Sequence, residues 1–399
     1  MYIRRQFMLL CASAIGSLLA SAGASAQEDT IRVGLVLEKT GPYASYGRQM
    51  ENGIQAFMKI HGDRVAGKKV ELFVRDSTGP APEVAKRLAK ELVTNDKVHF
   101  LAGFGFTPNA LATAPVATAS KTPMIVMNAA ASVISTRSPY IARTSFTTPQ
   151  VSMPMGEWAA KNGIRKVYTV VSDYGPGADA EAYFKKGYAA AGGQLVGDVK
   201  VPLSNRDFGP YLQRVKDAKP DAVFVFLAAG EPMIAFMKAY GERGLKQAGI
   251  RVLSTEGWAD DRELALIGEP AMDAVTTGFY SMTHDSATNK RFVQAYFDIE
   301  KSGMVPDFMA VSAYDGMAAI YAVAARLNGK IDGDKAMEVL KGLQIDSPRG
   351  PLTIDAATRD PVQTVYVRKV TRVNGKMANT EFDGFKNMKD PGKDAAGKP

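Results

Sequence analysis

The feature that most limits what this chain can fold into is a repeated order: a short apolar run, a small polar loop, then an amphipathic or alanine-rich stretch. It is plainest from Val98 to Ser132. Val98 to Ala102 is apolar and stops at Gly103 and Gly105, which reads as a buried strand opening into a loop. Thr107-Pro108 then starts a helix, with Thr107 as N-cap and Pro108 at the first helical position, so the helix's free N–H groups face the strand end and favour an anion. Met124 to Met127 repeat the strand, and Asn128 to Ser132 repeat the polar loop. Adjacent strands of an open parallel sheet deliver their following loops to one edge, where ligands bind. Both loops are therefore expected to face one ligand, although ordinary strand-to-helix turns would give the same pattern.

The alternation runs through most of the chain. Ile31 to Leu37 and Val70 to Arg75 read as strands, followed by helical stretches at Met50 to Ile60 and Glu83 to Val93. After Thr147-Thr148-Pro149 come a helix over Met153 to Lys161 and strands at Lys166 to Val171, Gln194 to Val201, Ala222 to Leu227 and Arg251 to Ser254. Strands alternating with helices predict parallel sheets covered on both faces. The fold class expected is α/β, with two doubly wound parallel-sheet lobes, because about 370 residues behind a leader exceed what one core serves. No low-complexity linker separates the halves, so the chain should cross between lobes through short ordered segments. Candidates are Ser145 to Pro149, Val275 to Phe279 and Ser347 to Gly350. Pro306-Asp307 opens a long alanine-rich helix to about Leu327, and Asp334 to Leu343 forms a shorter one. Thr364 to Val373 and Lys376 to Phe382 read as a hairpin around Asn374-Gly375. The charged, glycine- and proline-containing tail, 386–399, is expected to be disordered.

Residues 1–26 carry Arg4 and Arg5, an apolar run from Phe7 to Leu19 and the small-x-small sequence Ala24-Ser25-Ala26, the pattern of a cleavable signal peptide. The sole cysteine, Cys11, lies inside it, preceded by Leu9-Leu10 where a lipid anchor would want small residues. The exported chain then has no thiol, which excludes disulfides, cysteine catalysis and thiolate metal sites. The formal net charge is +8, of which Arg4 and Arg5 supply two. The basic residues are scattered among acidic ones, which argues against nucleic acid but suits a small anion.

The usual enzyme and cofactor signatures fail. Gly62 to Lys69, GDRVAGKK, nearly matches a phosphate-binding loop, but Lys69 replaces the required hydroxyl and the segment precedes a strand. Gly103-Phe104-Gly105 begins a dinucleotide-like pattern whose third glycine position is Pro108. His61, His99 and His284 are isolated from one another and from any paired-carboxylate pattern, so no metal site and no cofactor is expected. No GxSxG elbow occurs. What recurs instead is small, hydroxyl and aromatic residues after strands: Tyr43 to Tyr46, Phe104 to Thr107, Ala129 to Ser132, Ser172 to Gly175, Ala229 to Glu231 and Thr255 to Trp258. Facing sheets would bring these into a cleft suited to a small organic molecule, though each is also an ordinary turn or cap residue.

The leader, TGPYASYGRQMENGIQAF, VVSDYGPGADA, RDFGPYLQRVKDAKPDAVFVF and SPRGPLTIDAATRDPVQTVYVRKV together resemble the branched-chain amino-acid (Leu/Ile/Val-binding) type of periplasmic solute-binding protein of ABC importers. The resemblance implies the type I architecture, two lobes with a three-segment hinge: 27–147 with 277–347, and 148–276 with 348–385. It implies a monomer in the periplasm that hands its ligand to an inner-membrane permease and has no catalytic activity. By position, Phe106-Thr107 and Ala130, Ala131 and Ser132 are similar to the family's carboxylate-binding loops, Tyr174 to its second-lobe tyrosine, and Glu256 to the acid that receives an amino group. Tyr43, Tyr46, Phe104, Phe106, Tyr174, Gly230 and Trp258 complete the expected ligand site. The implied ligand is a small carboxylate, first an aliphatic branched-chain amino acid. The phenylalanines at 104 and 106, where serines are usual, resemble instead the subgroup taking up aromatic carboxylates, benzoate- or phenylpropanoid-like. A ligand-sensing receptor and an enzyme are the remaining readings.

Overall fold

The computed structural model describes residues 30–228, 230–256, 261–394 and 397; the expected signal peptide and Trp258 lie outside them. The chain runs β1 (Thr30–Leu37), α1 (Ala44–His61), β2 (Arg64–Val65), β3 (Lys68–Asp76), α2 (Pro82–Thr94), β4 (Phe100–Gly103), α3 (Thr107–Ser120), β5 (Met124–Val126) and β6 (Ile141–Arg143). These strands form one sheet in the order β2-β3-β1-β4-β5-β6, parallel except for β2 against β3. The near-match to a phosphate loop is the β2–β3 hairpin, whose Ala66-Gly67 turn has positive φ at both positions, as a tight two-residue turn requires.

The second sheet follows as α4 (Thr148–Lys161), β7 (Lys166–Ser172), α5 (Gly175–Ala190), β8 (Gln194–Val201), α6 (Gly209–Ala218), β9 (Ala222–Phe226), α7 (Glu231–Glu242), β10 (Arg251–Thr255), α8 (Asp261–Ile267) and β11 (Val275–Gly278). Its strands β8, β7, β9, β10 and β11 are mutually parallel neighbours. The chain returns to the first lobe for α9 (Ala287–Ile299), α10 (Phe308–Arg326) and α11 (Gly333–Leu340), then passes through β12 (Gln344–Ile345) and β13 (Leu352–Ile354) to the long hairpin of β14 (Pro361–Val373) and β15 (Lys376–Met388). β14 lies antiparallel to β11, so the sheet is mixed at this edge. Asn374 and Gly375 both take positive φ in the hairpin turn.

Helix α10 is long and apolar enough to cross a membrane, but 83% of its most apolar window is buried inside the protein. Its start is fixed by Asp307, whose carboxylate accepts from the N–H groups of Met309 (2.8 Å) and Ala310 (3.1 Å).

The crossings meet at one side chain. Arg349 donates to the carbonyls of Ser145 (3.1 Å) and Thr144, pairs with Asp315 on α10 at 2.9 Å, and stacks over the Phe279 ring at 4.3 Å. It thereby ties together all three segments that link the sheets. Burial pushes the Asp315 carboxyl up to about 6, with Arg349 opposing the rise.

Two expectations about the C-terminal third differ from the structure. Residues 352–360, expected in the second lobe, touch both: β13 pairs with β14 of the second sheet, while Leu352 and Ile354 join the first core and Arg359 donates to the carbonyls of Ile141, Ser135 and Ser138. The tail expected to be disordered from Lys386 instead continues β15 to Met388 and then buries Asp390 and the Lys393 side chain. Its buried charges have partners. Lys393 pairs with Asp360 and lies 3.5 Å from Asp390, and Asp360 also pairs with Arg143 at 3.2 Å.

Candidate functional site

The loop after β4 is shaped by what lies beneath it. Gly103 has φ +103, and a Cβ there would lie 2.5 Å from the Val36 carbonyl oxygen; a Cβ on Gly105 would lie 2.2 Å from Glu38 Oε2. Between them Phe104 adopts a left-handed φ of +66, which turns its ring into the core, where it is fully buried. The expectation that Phe104 walls the cleft is therefore corrected. Phe106 is the residue that faces the ligand space. It precedes α3 as the N-cap, so Thr107 is the first helical residue rather than the cap, and its hydroxyl instead accepts from the Ala131 N–H at 3.3 Å. That bond uses one of the two lone pairs of the Thr107 hydroxyl and leaves its O–H available as a donor.

An inner cavity of about 40 Å³ opens between the lobes. The first lobe contributes Tyr46, Gly105, Phe106, Thr107, Asn128 and Ala130; the second contributes Tyr174, Pro176 and Phe226 to Ala228; Phe146 and Phe308 close it near the crossings. Tyr46 and Phe106 stack at 5.1 Å with their planes 7° apart, and Tyr43 supports Phe106 edge-on at 4.8 Å from behind, outside the lining. Opposite them Tyr174 lies over Phe226 at 6.5 Å. Burial pushes the Tyr174 phenol above its ordinary range, so it stays a neutral hydroxyl. Among the described residues no lysine or arginine lines this cavity. An anion in it would be met by the first turn of α3, the Thr107 hydroxyl and backbone N–H groups.

A larger outer cavity, about 210 Å³, adjoins it and shares Tyr46, Glu256 and Phe308 with it. Gly230, Arg368 and Asn379 are among its lining residues. Glu256 is buried at the end of β10 and is already paired: Arg368 Nη1 lies 2.9 Å and 3.2 Å from its two oxygens, and the Phe279 N–H donates to Oε2 at 2.6 Å.

The other expected site residues fall elsewhere. The Ala131 carbonyl accepts from Arg143 at 2.8 Å, and its N–H is spent on Thr107. The Ser132 hydroxyl donates to Asp390 at 2.6 Å, and its N–H to Asp179 on α5 at 3.0 Å. Ser132 therefore belongs to the anchorage of the C-terminal segment, not to the cavity lining. Residues not anticipated include Phe146, Phe226, Phe308 and Arg368, and Asn128 is expected only as part of its loop. Phe308 had a signal, the Pro306-Asp307 helix start. Arg368 had none, because it reaches Glu256 only through the β11–β14 pairing. Among the described residues no group of three or more His, Cys, Asp or Glu side chains is placed to hold a metal.

Two doubly wound lobes, three crossings bound to one arginine and an aromatic cleft between the lobes define a hinged solute-binding protein of the type I architecture. A family model described as periplasmic binding protein matches residues 30–376. A Leu/Ile/Val-binding protein homolog 6 from Brucella melitensis is 42% identical over 96% of this chain and 98% of its own. Among solved structures, a solute-binding protein of an ABC transporter from Rhodopseudomonas palustris BisB5, in complex with 3,4-dihydroxybenzoic acid, is 51% identical with a TM-score of 0.88, covering 92% of this chain and 99% of that one. A second from R. palustris, in complex with 4-hydroxybenzoate, is 43% identical with a TM-score of 0.89, covering 91% and 99%. The chain belongs to the periplasmic binding protein family. It serves as a solute-binding component of ABC transport.

Proposed function

We propose that this protein, exported to the periplasm after loss of residues 1–26, captures a benzoate-like aromatic carboxylate between its lobes. It then delivers that ligand, chemically unchanged and as a monomer, to an inner-membrane ABC permease. The observation that carries this reading is the inner cavity itself: Tyr46 stacked on Phe106 on one side, Tyr174 and Phe226 on the other, and a helix start at one end. A planar ring between those faces gains aromatic contact, and its carboxylate meets the α3 N-terminus without needing a buried cation. The two R. palustris relatives, whose ligands are hydroxylated benzoates, support the aromatic acid over the aliphatic amino acid expected first. Thr107, Ala130 and Phe106 then hold the carboxylate end, and Glu256 lies at the far end of the ring.

The test is a melting-temperature panel of benzoate, 4-hydroxybenzoate and 3,4-dihydroxybenzoate against leucine, isoleucine and valine. At ligand about 100-fold above its Kd, linkage adds about 2.7 kcal/mol, a shift of a few degrees. Shifts with the aromatic acids alone are expected. Shifts with the aliphatic amino acids alone would overturn the aromatic assignment.

A further inference from the structure

Among the described residues the carboxylate of Glu256 is the only acid lining the inner cavity, and its hydrogen-bonding capacity is nearly full before any ligand arrives. Arg368 Nη1 contacts both oxygens, and the N–H groups of Phe279 (2.6 Å) and Tyr280 (3.4 Å) approach Oε2. Arg368 is held in turn: its Nε donates to Thr276 Oγ1 at 3.1 Å and its Nη1 to the Tyr280 carbonyl. The register places Arg368 opposite Thr276 on β11, two residues before Gly278. A Cβ on Gly278 would lie 2.0 Å from Glu256 Oε2 and 2.5 Å from Arg368 Nη2, so the pair fits only over a glycine. Both side chains are buried, 4% and 5% exposed.

We infer that Arg368 determines specificity: it is a built-in cation that satisfies Glu256 and so excludes ligands bearing an α-ammonium group. The inference rests on the aromatic-carboxylate reading and deepens it. An ammonium brought to Glu256 would meet a carboxylate whose charge is already balanced, with a guanidinium beside it, and would lose its hydration for no net opposite charge. A neutral donor such as a phenolic hydroxyl carries no such penalty and can still use a spare lone pair of Glu256. The other acids nearby, Glu231, Glu263 and Asp307, line the outer cavity alone, and Asp307 is engaged in capping α10. They do not supply a second ammonium site next to the aromatic faces.

The test uses pairs of ligands that differ only by the amine: 3-phenylpropionate against L-phenylalanine, and 4-methylpentanoate against L-leucine, by isothermal titration of the full-length mature protein. The wild type is expected to prefer the amine-free member by at least about 100-fold. Arg368→Gln leaves the Glu256 charge for the ligand and is expected to bind the amino acids at least tenfold more tightly than the wild type does. The double variant Glu256→Gln/Arg368→Gln, with neither charge, is expected to lose that gain, a response that a merely structural role for Arg368 would not produce. Wild-type binding of either amino acid as tightly as its amine-free partner overturns the inference. So does a folded Arg368→Gln with no gain. If Arg368→Gln shows no cooperative melt, the wild-type ratios decide alone. A wild type that ignores benzoate and 4-hydroxybenzoate yet prefers 4-methylpentanoate to leucine removes the aromatic reading and keeps the role of Arg368; a preference for leucine removes that role.

Discussion

At the scale of single residues, the most consequential group is one that no ligand touches. Glu38 is fully buried at the end of β1, with Ser77 and Asn109 each 3.3 Å from Oε1 and the backbone of Gly105 lying against Oε2. Burial raises its pKa from the ordinary 4.5 to about 7, opposed by those hydrogen bonds. The folded state therefore holds the proton more tightly than the unfolded chain. The stability this confers is complete below pH 4.5 and is lost as the pH rises through 7, by roughly 3 kcal/mol in order of magnitude. Glu38→Gln removes the ionisation while keeping the shape. Its melting temperature should exceed the wild type's at pH 8 and converge with it near pH 5; parallel melting curves across that range would show that Glu38 does not titrate in the folded protein. The same loop shows what was readable at this scale. Strand-then-loop order brings Tyr46, Phe106, Thr107, Ala130, Tyr174 and Glu256 to the right edge, and all of them line the cavities. It does not give side-chain direction: Phe104 and Phe106 look alike in sequence, and only the left-handed backbone at Phe104 separates core from cleft. Nor does it reveal partners from distant strands, such as Arg368 on Glu256.

At the scale of elements, parallel alternation was readable because each strand is bounded by turn residues and each helix by a distinct periodicity. The C-terminal segment was not, because its composition matches that of a solvated tail. What composition misses is pairing. Asp390 accepts from Ser132 at 2.6 Å, and Lys393 reaches Ser135 at 2.7 Å as well as Asp360, which Arg143 shares. Each charge is unremarkable in sequence, and together they form a buried cluster that anchors the strand β15 to the first lobe. Removing one member leaves a buried charge uncompensated, which typically costs about 3–5 kcal/mol. Lys393→Met should therefore lower stability to urea by an amount near the lower end of that range, and truncation after Met388 by at least as much. An unchanged unfolding midpoint in either variant would mean the segment is not anchored in solution.

At the scale of the whole molecule, the two lobes stand in contact across the mouth of the cleft. A Cβ placed on Gly175 of the second lobe would lie 3.7 Å from Ala131 Cβ and from Thr107 Cγ2 of the first, and the Ser132 N–H donates to Asp179 Oδ2 at 3.0 Å. This is the closed arrangement, with Arg349 fixing the crossings about which the lobes would turn. A contact made only when the lobes are shut adds to ligand affinity, because the ligand and the contact favour the same state. The hydrogen bond to Asp179 is half-exposed, so its net worth is near the low end for a charged acceptor, about 1 kcal/mol. Asp179→Ala should then weaken aromatic-acid binding by roughly fivefold, mainly through faster release. Asp179→Asn, whose amide oxygen can still accept from Ser132, should retain most of the affinity. Titration calorimetry gives the Kd of each variant and stopped-flow fluorescence the release rate. Equal affinity in the wild type and Asp179→Ala would mean that closure is driven by the ligand and the hinge alone, with the rim contact contributing nothing.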